Sequence, residues 1–180
     1  GDIVTMHVTA KIFNNSSDNI NMARAAKDIV SDIKSTYEGK FEWSDNKTYN
    51  LKVDMDLKVA TSMKDVENSD HLFVLADSDS KGARGATSML GGKVMTLASS
   101  DFANNNWLSN NLSYNKTFTA AHEFGHAIGL SHSQNPFNIM KQGGVVHNSN
   151  SNQRVIMLQQ QNNLNNNLVV DIYNLGLKWR

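Results

Sequence analysis

Residues Ala121–Met140 read AHEFGHAIGLSHSQNPFNIM and contain the pattern His-Glu-x-x-His-x-x-Gly-x-x-His. His122 and His126 are four residues apart, so on an α-helix they lie on one face, one turn apart. This spacing suits two ligands of one zinc ion, which takes three protein ligands in catalytic sites and leaves a fourth position to water. We therefore predict a zinc-binding helix, with His132 as the third ligand.

The third histidine must lie beyond the end of that helix, because six residues after His126 it would fall well off the shared face. Gly129 can adopt the left-handed conformation that ends a helix, which lets the chain turn back and bring His132 to the metal. Glu123 lies about 100° round the helix from His122, beside the water that zinc activates, and is the candidate general base. The opposite face of the helix is apolar and is predicted to pack against a sheet; it consists of Ala120, Phe124, Ala127 and Ile128.

At these residues the chain resembles the metzincin metalloproteases, whose signature is this zinc motif followed by a turn that contains a methionine. The spacing of His132-Ser133, Pro136 and Ile139-Met140 is similar to that of the matrixin branch. The resemblance implies that Met140 is the Met-turn residue, an apolar floor beneath the zinc that does not bind it.

The resemblance also implies a zinc endopeptidase with one catalytic Zn²⁺ ion, acting on a protein or peptide bound as an extended strand. Zinc would polarise the scissile carbonyl and the attacking water, while Glu123 takes the proton of the water and passes it to the leaving amine. The competing interpretation is a non-catalytic module that binds zinc or a peptide. The intact Glu123 favours an enzyme, since a pure binding site needs no base.

Three features depart from the matrixin pattern. Residues 77–86 contain no histidine, so the structural zinc of matrixins is not expected, and Asp77 and Asp79 fall short of the six to eight oxygens that calcium takes. No tyrosine stands two residues after Met140, so the ligands expected are three histidines and water. The short loops and the lack of cysteine also fit the proteolytic A subunit of a bacterial AB-type toxin, of the toxilysin kind, which would have a partner subunit.

The composition predicts one domain. The 180 residues are 39% hydrophobic, with an upper part at 1–128 that ends in the zinc helix and a lower part at 129–180 with the Met-turn and a C-terminal helix. A net charge of zero gives no electrostatic case for binding nucleic acid or an anionic membrane, and no apolar run is long enough to span one. Without cysteine, histidine and carboxylate must hold any metal. The start at Gly1-Asp2 is typical of a processed form, and the composition favours a secreted, bacterial protein.

The fold predicted is α/β. By resemblance it is a twisted mixed five-stranded sheet with an antiparallel edge strand, two long helices packed on it and a C-terminal helix. Alternating or continuous apolar residues predict strands at Val4–Ile12, Leu51–Val59, Leu72–Ala76, Gly85–Leu90 and Lys93–Ala98, the last two joined by a tight turn at Gly91-Gly92. Besides the zinc helix, helices are predicted at 20–37 and 153–166, and the apolar tail 167–180 is expected to pack on the body as either helix or strand.

Substrate contacts are inferred from the resemblance, since the antiparallel edge strand of metzincins borders the cleft and pairs with the substrate. The candidate substrate-binding residues are Thr87, Ser88, Met89, Lys141, Gln142 and Gly143. The turn supplies apolar groups at Phe137, Ile139 and Met140, and Glu123 is the only carboxylate between Asp101 and Asp171. A site of this kind is expected to prefer a hydrophobic side chain directly after the scissile bond.

Overall fold

A computed structural model describes residues 1–77, 85–87, 90–103, 113–144 and 146–160, without the side chains of residues 113–117. Its elements in chain order are β1 (Asp2–Asn15), α1 (Met22–Tyr37), β2 (Gly39–Glu42), β3 (Thr48–Ala60), β4 (His71–Ala76), β5 (Gly85–Thr87), β6 (Val94–Ala98), α2 (Ser113–Ala127) and α3 (Ser151–Gln160). Short 3₁₀ turns lie at Met63–Asp65 and Ser99–Asp101. In the described part of the chain, no helix is long and apolar enough to cross a membrane.

The strands form one mixed sheet in the order β2-β3-β1-β4-β6-β5. The four inner strands run parallel to one another, whereas β2 and β5 lie at the two edges and are antiparallel to their neighbours. The predicted α/β fold with an antiparallel edge strand is thus confirmed, with one strand more than expected. The additional strand, β2, is only four residues long and buries only Phe41, so it is too short to produce a recognisable alternation.

Two helices cover one face of this sheet. The even-numbered residues of β1, from Met6 to Ile12, are buried, and the same alternation continues in β3, where Val53 pairs with Met6. Helix α1 starts at Met22, after Asn21 accepts a hydrogen bond from the backbone N–H of Arg24 as N-cap. The predicted apolar face of α2 is confirmed, since Ala120, Phe124, Ala127 and Ile128 are all at most 1% exposed. This packing leaves the opposite face of α2, with its histidines, for the site.

The end of the sheet contains the predicted antiparallel pair. Strand β5 is described at Gly85–Thr87, with Thr87 paired to Met95 of β6, and residues 88 and 89 of the predicted strand lie outside the described residues. Gly91, in the predicted turn, has a φ of 77°, and its backbone N–H donates to the carbonyl of His126 at 2.8 Å. This hydrogen bond ties the end of the sheet to the zinc helix.

Several predictions fall partly outside the described residues. Helix α3 begins at Ser151, two residues earlier than expected, and is described to Gln160, so residues 161–166 of the predicted helix and the tail 167–180 lie beyond the described part. Of the two acids weighed for calcium, Asp79 is also outside it. Asp77 accepts hydrogen bonds from the backbone N–H and the hydroxyl of Ser17, at 3.4 and 3.3 Å.

Candidate metal centre

The end of the zinc helix is built around Gly129, as predicted. Its φ of 92° is in the left-handed region, which a residue with a side chain adopts only under strain. The N–H of Gly129 donates to the carbonyl of His126 at 3.0 Å, and the N–H of Leu130 donates to that of Gly125 at 2.8 Å. These two bonds form a Schellman motif, which ends the helix and turns the chain back towards it.

The turn brings the three predicted ligands together. One ring nitrogen from each of His122, His126 and His132 lies within 4.8 Å of the other two, and Nε2 of His126 is 3.1 Å from Nε2 of His132. Two nitrogens bound at 2.0 to 2.1 Å to one tetrahedral zinc ion are about 3.3 Å apart. The nitrogens of His126 and His132 therefore already have this spacing, and the nitrogen of His122 lies within 4.8 Å of both.

Hydrogen bonds fix which nitrogen of each helical histidine faces the cluster. Nδ1 of His122 is 2.7 Å from the carbonyl oxygen of Ile139, and Nδ1 of His126 is 2.7 Å from that of Leu130. A carbonyl can only accept, so both Nδ1 atoms carry the proton and both Nε2 atoms keep a lone pair for a metal. Burial also lowers the pKa of His122, which favours the neutral form that binds zinc. The donor set fits Zn²⁺.

Glu123 is beside this cluster and is only 7% exposed. The hydroxyl of Thr87, on the edge strand β5, donates to Oε2 of Glu123 at 2.5 Å and lies 3.0 Å from its backbone carbonyl oxygen. The only described member of the predicted substrate-binding group on β5 therefore contacts the predicted base. Its neighbours Ser88 and Met89 lie outside the described residues.

The other predicted substrate contacts follow the Met-turn directly. Lys141 is half-buried, with Nζ 3.5 Å from Oε1 of Gln134, while Gln142 and Gly143 are exposed. Their role in binding substrate stays a prediction. The apolar wall expected from the turn is different in the structure, because Ile139 and Met140 are fully buried. Only Phe137, at 71% exposure, offers its surface to a substrate.

Met140 lies against the zinc helix. Its sulfur packs on the backbone of Gly125, and its carbonyl accepts from the N–H of Ser133 at 2.9 Å, closing the loop after the third histidine. The preceding residue, Ile139, supplies the carbonyl that orients His122. Met140 is thus buried against the helix that carries the histidines, and its role as an apolar floor beneath a metal stays a prediction.

Tyr37, which sequence reasoning did not assign to the site, supports this floor from below. It is the last residue of α1, fully buried, and its hydroxyl donates to the carbonyl of Ala121 at 2.6 Å and lies 3.8 Å from the sulfur of Met140. Burial, with a smaller effect from the charge of Glu123, raises the pKa of Tyr37, so it stays a hydrogen-bond donor. The only sequence signal was its place in the apolar period of α1, which is equally typical of a core residue.

Two buried amides, also not anticipated, join the Met-turn to α3. Asn138 and Gln153 exchange two hydrogen bonds of 2.9 Å, and Oδ1 of Asn138 also accepts from the N–H of Met140 at 2.9 Å. Gln153 forms a capping box with Asn150, in which each side chain accepts from the backbone N–H of the other, at 3.0 and 2.9 Å. One side chain therefore both begins α3 and holds the Met-turn.

An aromatic column packs on the first zinc ligand. The ring of Phe118, one helical turn before His122, stacks on it with centroids 6.2 Å apart and an interplanar angle of 28°. The ring of His147 also stacks on Phe118, with centroids 5.3 Å apart and an interplanar angle of 24°. The ring of His122 is therefore restrained by Phe118 as well as by its hydrogen bond to Ile139.

Comparison with known proteins gives a family and a fold. The family model described as Matrixin matches residues 4–163. The crystal structure of archaemetzincin from Methanopyrus kandleri superposes with a TM-score of 0.53 at 14% identity, covering 87% of this chain and 96% of that one. Metalloproteinase-II from Bacteroides fragilis gives a TM-score of 0.47 at 16% identity, covering 89% of this chain and 56% of that one.

No curated protein matches the sequence. At 14% identity, the likeness to archaemetzincin indicates a shared fold alone. The family match, however, spans most of the chain and includes the three histidines that the structure brings together. The chain belongs to the matrixin family of zinc metallopeptidases.

Proposed function

We propose that this metallopeptidase cleaves internal peptide bonds, with Glu123 as the general base. The observation that carries the proposal is the placement of one buried carboxylate, beside three histidines whose free nitrogens converge. A site that only stored zinc would have no use for a carboxylate that is kept next to the metal without being one of its ligands.

The three histidines and Glu123 have separate roles in the proposed reaction. His122, His126 and His132 would hold one zinc ion, which when bound supplies Lewis-acid polarisation of the scissile carbonyl and activation of water. The carboxylate of Glu123 takes a proton from the attacking water and then delivers it to the leaving amine nitrogen. Its small exposed fraction limits competing hydrogen bonds from bulk solvent.

The edge strand β5 is the proposed place for an extended substrate. Its one partner among the described strands is β6, so the backbone groups along its outer edge are available to a peptide. Backbone hydrogen bonds of this kind can form with a peptide of almost any sequence. The segment at 141–143 and the exposed ring of Phe137 would contact the substrate from the other wall of the cleft.

Two kinds of variant test this function. His126→Ala and His132→Ala should lose stoichiometric zinc, as measured by metal analysis, because two ligands hold the ion poorly. Glu123→Gln should keep zinc and the fold but lose cleavage of a peptide library by about 10² to 10⁴-fold. The matched control is Glu67→Gln, the same chemical change at an exposed residue. Near-normal turnover in Glu123→Gln would exclude Glu123 as the base, and a wild-type protein that binds zinc and peptides without cleaving them would exclude the enzyme.

A further inference from the structure

Strand β5 runs beside the zinc helix with alternate residues facing it. Gly85 and Thr87 share this face because strand side chains alternate, whereas Ala86 points away and is exposed. A Cβ atom at Gly85 would clash with Thr119 and lie 3.0 Å from Cγ of Glu123. Gly85 therefore leaves room for the side chain of Glu123. Thr87, the next residue on the same face of the strand, contacts that side chain.

The contact from Thr87 is specific in its chemistry. A hydroxyl has one proton, and the oxygen of Thr87 lies 2.5 Å from Oε2 of Glu123 but 3.0 Å from the backbone carbonyl oxygen, so the carboxylate is the nearer acceptor. Oε2 is thereby engaged. Oε1, which a Cβ atom at Gly85 would approach to 3.4 Å, is not engaged by Thr87, so it is the oxygen to which we assign the proton from water.

We propose that Thr87 is a positioning residue for Glu123, which holds the carboxylate so that Oε1 receives the proton. The inference rests on the proposed function of Glu123 and gives the Thr87 side chain a role other than the predicted one of binding substrate. Because Thr87 belongs to β5, the strand proposed to align the peptide also orients the base. Substrate and base would then be held in register by one element.

The test removes the hydroxyl while keeping the shape of the side chain. Thr87→Val should lower kcat by about 10- to 100-fold, with KM within about twofold and zinc content unchanged, because the base is still present but less well placed. Thr87→Ser keeps the hydroxyl and should restore kcat to within about threefold of the wild type. Thr87→Ala provides a second variant without the hydroxyl and should behave as Thr87→Val. Thr96→Val is the control, since Thr96 pairs with Ala86 on the face of the sheet that points away from α2.

A double-mutant comparison separates this inference from the proposed function. In the Glu123→Gln background, Thr87→Val should have almost no further effect on kcat, because Thr87 acts through Glu123. A rise in KM at unchanged kcat would show that Thr87 contacts substrate, and an equal loss of kcat in both backgrounds would show that it acts independently of Glu123. Either result overturns the inference while leaving Glu123 as the base. Wild-type turnover in Glu123→Gln itself would instead overturn the proposed function.

Discussion

Replacing His71 with leucine should reduce the fall in the free energy of unfolding that the protein undergoes as the pH is lowered. His71 begins β4, is only 6% exposed, and meets the ring of Phe124 in the zinc helix edge to face at 6.1 Å. Its Nε2 has no hydrogen-bond partner among the described residues. Burial, followed by the positive charge of Lys93, lowers the pKa of His71 from 6.5 to about 4, so the ring is neutral in the folded protein.

The magnitude follows from the two pKa values. The unfolded chain protonates this histidine below about pH 6.5, whereas the folded protein does so only below about pH 4. Between these values the unfolded state binds more protons, so the free energy of unfolding falls as the pH is lowered. At about 1.36 kcal/mol for each pH unit, lowering the pH from about 6.5 to about 4 reduces the free energy of unfolding by about 3 kcal/mol. This is a large part of a typical total of about 5 to 15 kcal/mol.

The assay is urea unfolding followed by tryptophan fluorescence at several values between pH 4 and pH 7. Other groups titrate in the wild type and in His71→Leu alike, so they cancel in the difference between the two free energies of unfolding. That difference should fall by about 3 kcal/mol from pH 7 to pH 4. His71→Gln, which also cannot titrate, should give the same change if protonation rather than polarity is the cause. A difference that is constant to within about 0.5 kcal/mol would refute the neutral, buried state of His71.

Two further substitutions test the support of the Met-turn. Tyr37→Phe should retain zinc and lower the free energy of unfolding by about 1 kcal/mol. The loss is small because the carbonyl of Ala121 keeps its hydrogen bond within the helix, so no buried group is left unsatisfied. An unchanged free energy of unfolding would contradict the buried hydrogen bond. Gln153→Leu should cost about 1 to 3 kcal/mol in the same urea assay, because it leaves the buried amide of Asn138 without its partner. Gln159→Leu, at an exposed position of the same helix, is the control, and equal losses in both variants would argue against the amide pair.

The sequence was sufficient to predict that His122, His126 and His132 come together, because their positions depend on local geometry. The spacing of His122 and His126 determines a shared helix face, and Gly129 supplies the one conformation that returns the chain to it. Met140 was identified through resemblance, and its burial agrees with that role. Long strands with clear alternation, such as β1 and β3, were predicted to within a few residues.

Tertiary contacts explain what the sequence did not reveal. The Gly91-Gly92 pair is typical of a turn, but nothing in it indicates that the N–H of Gly91 donates to the carbonyl of His126 in the zinc helix. The hydroxyl of Tyr37 meets partners 84 and 103 residues away, a separation that no local pattern encodes. The contact between Thr87 and Glu123 is of the same kind, since it depends on how a sheet edge passes a helix.

The hydrogen bonds by which Gln153 joins α3 to the Met-turn affect when the metal site can be completed during synthesis. The floor beneath the histidines is held by α1 on one side and by α3 on the other, so its parts leave the ribosome at very different times. Closing such distant contacts costs loop entropy that local helix formation does not repay. A nascent chain that ends shortly after His132 has all three ligands but no floor. We therefore expect peptidase activity to appear only after α3 has been made.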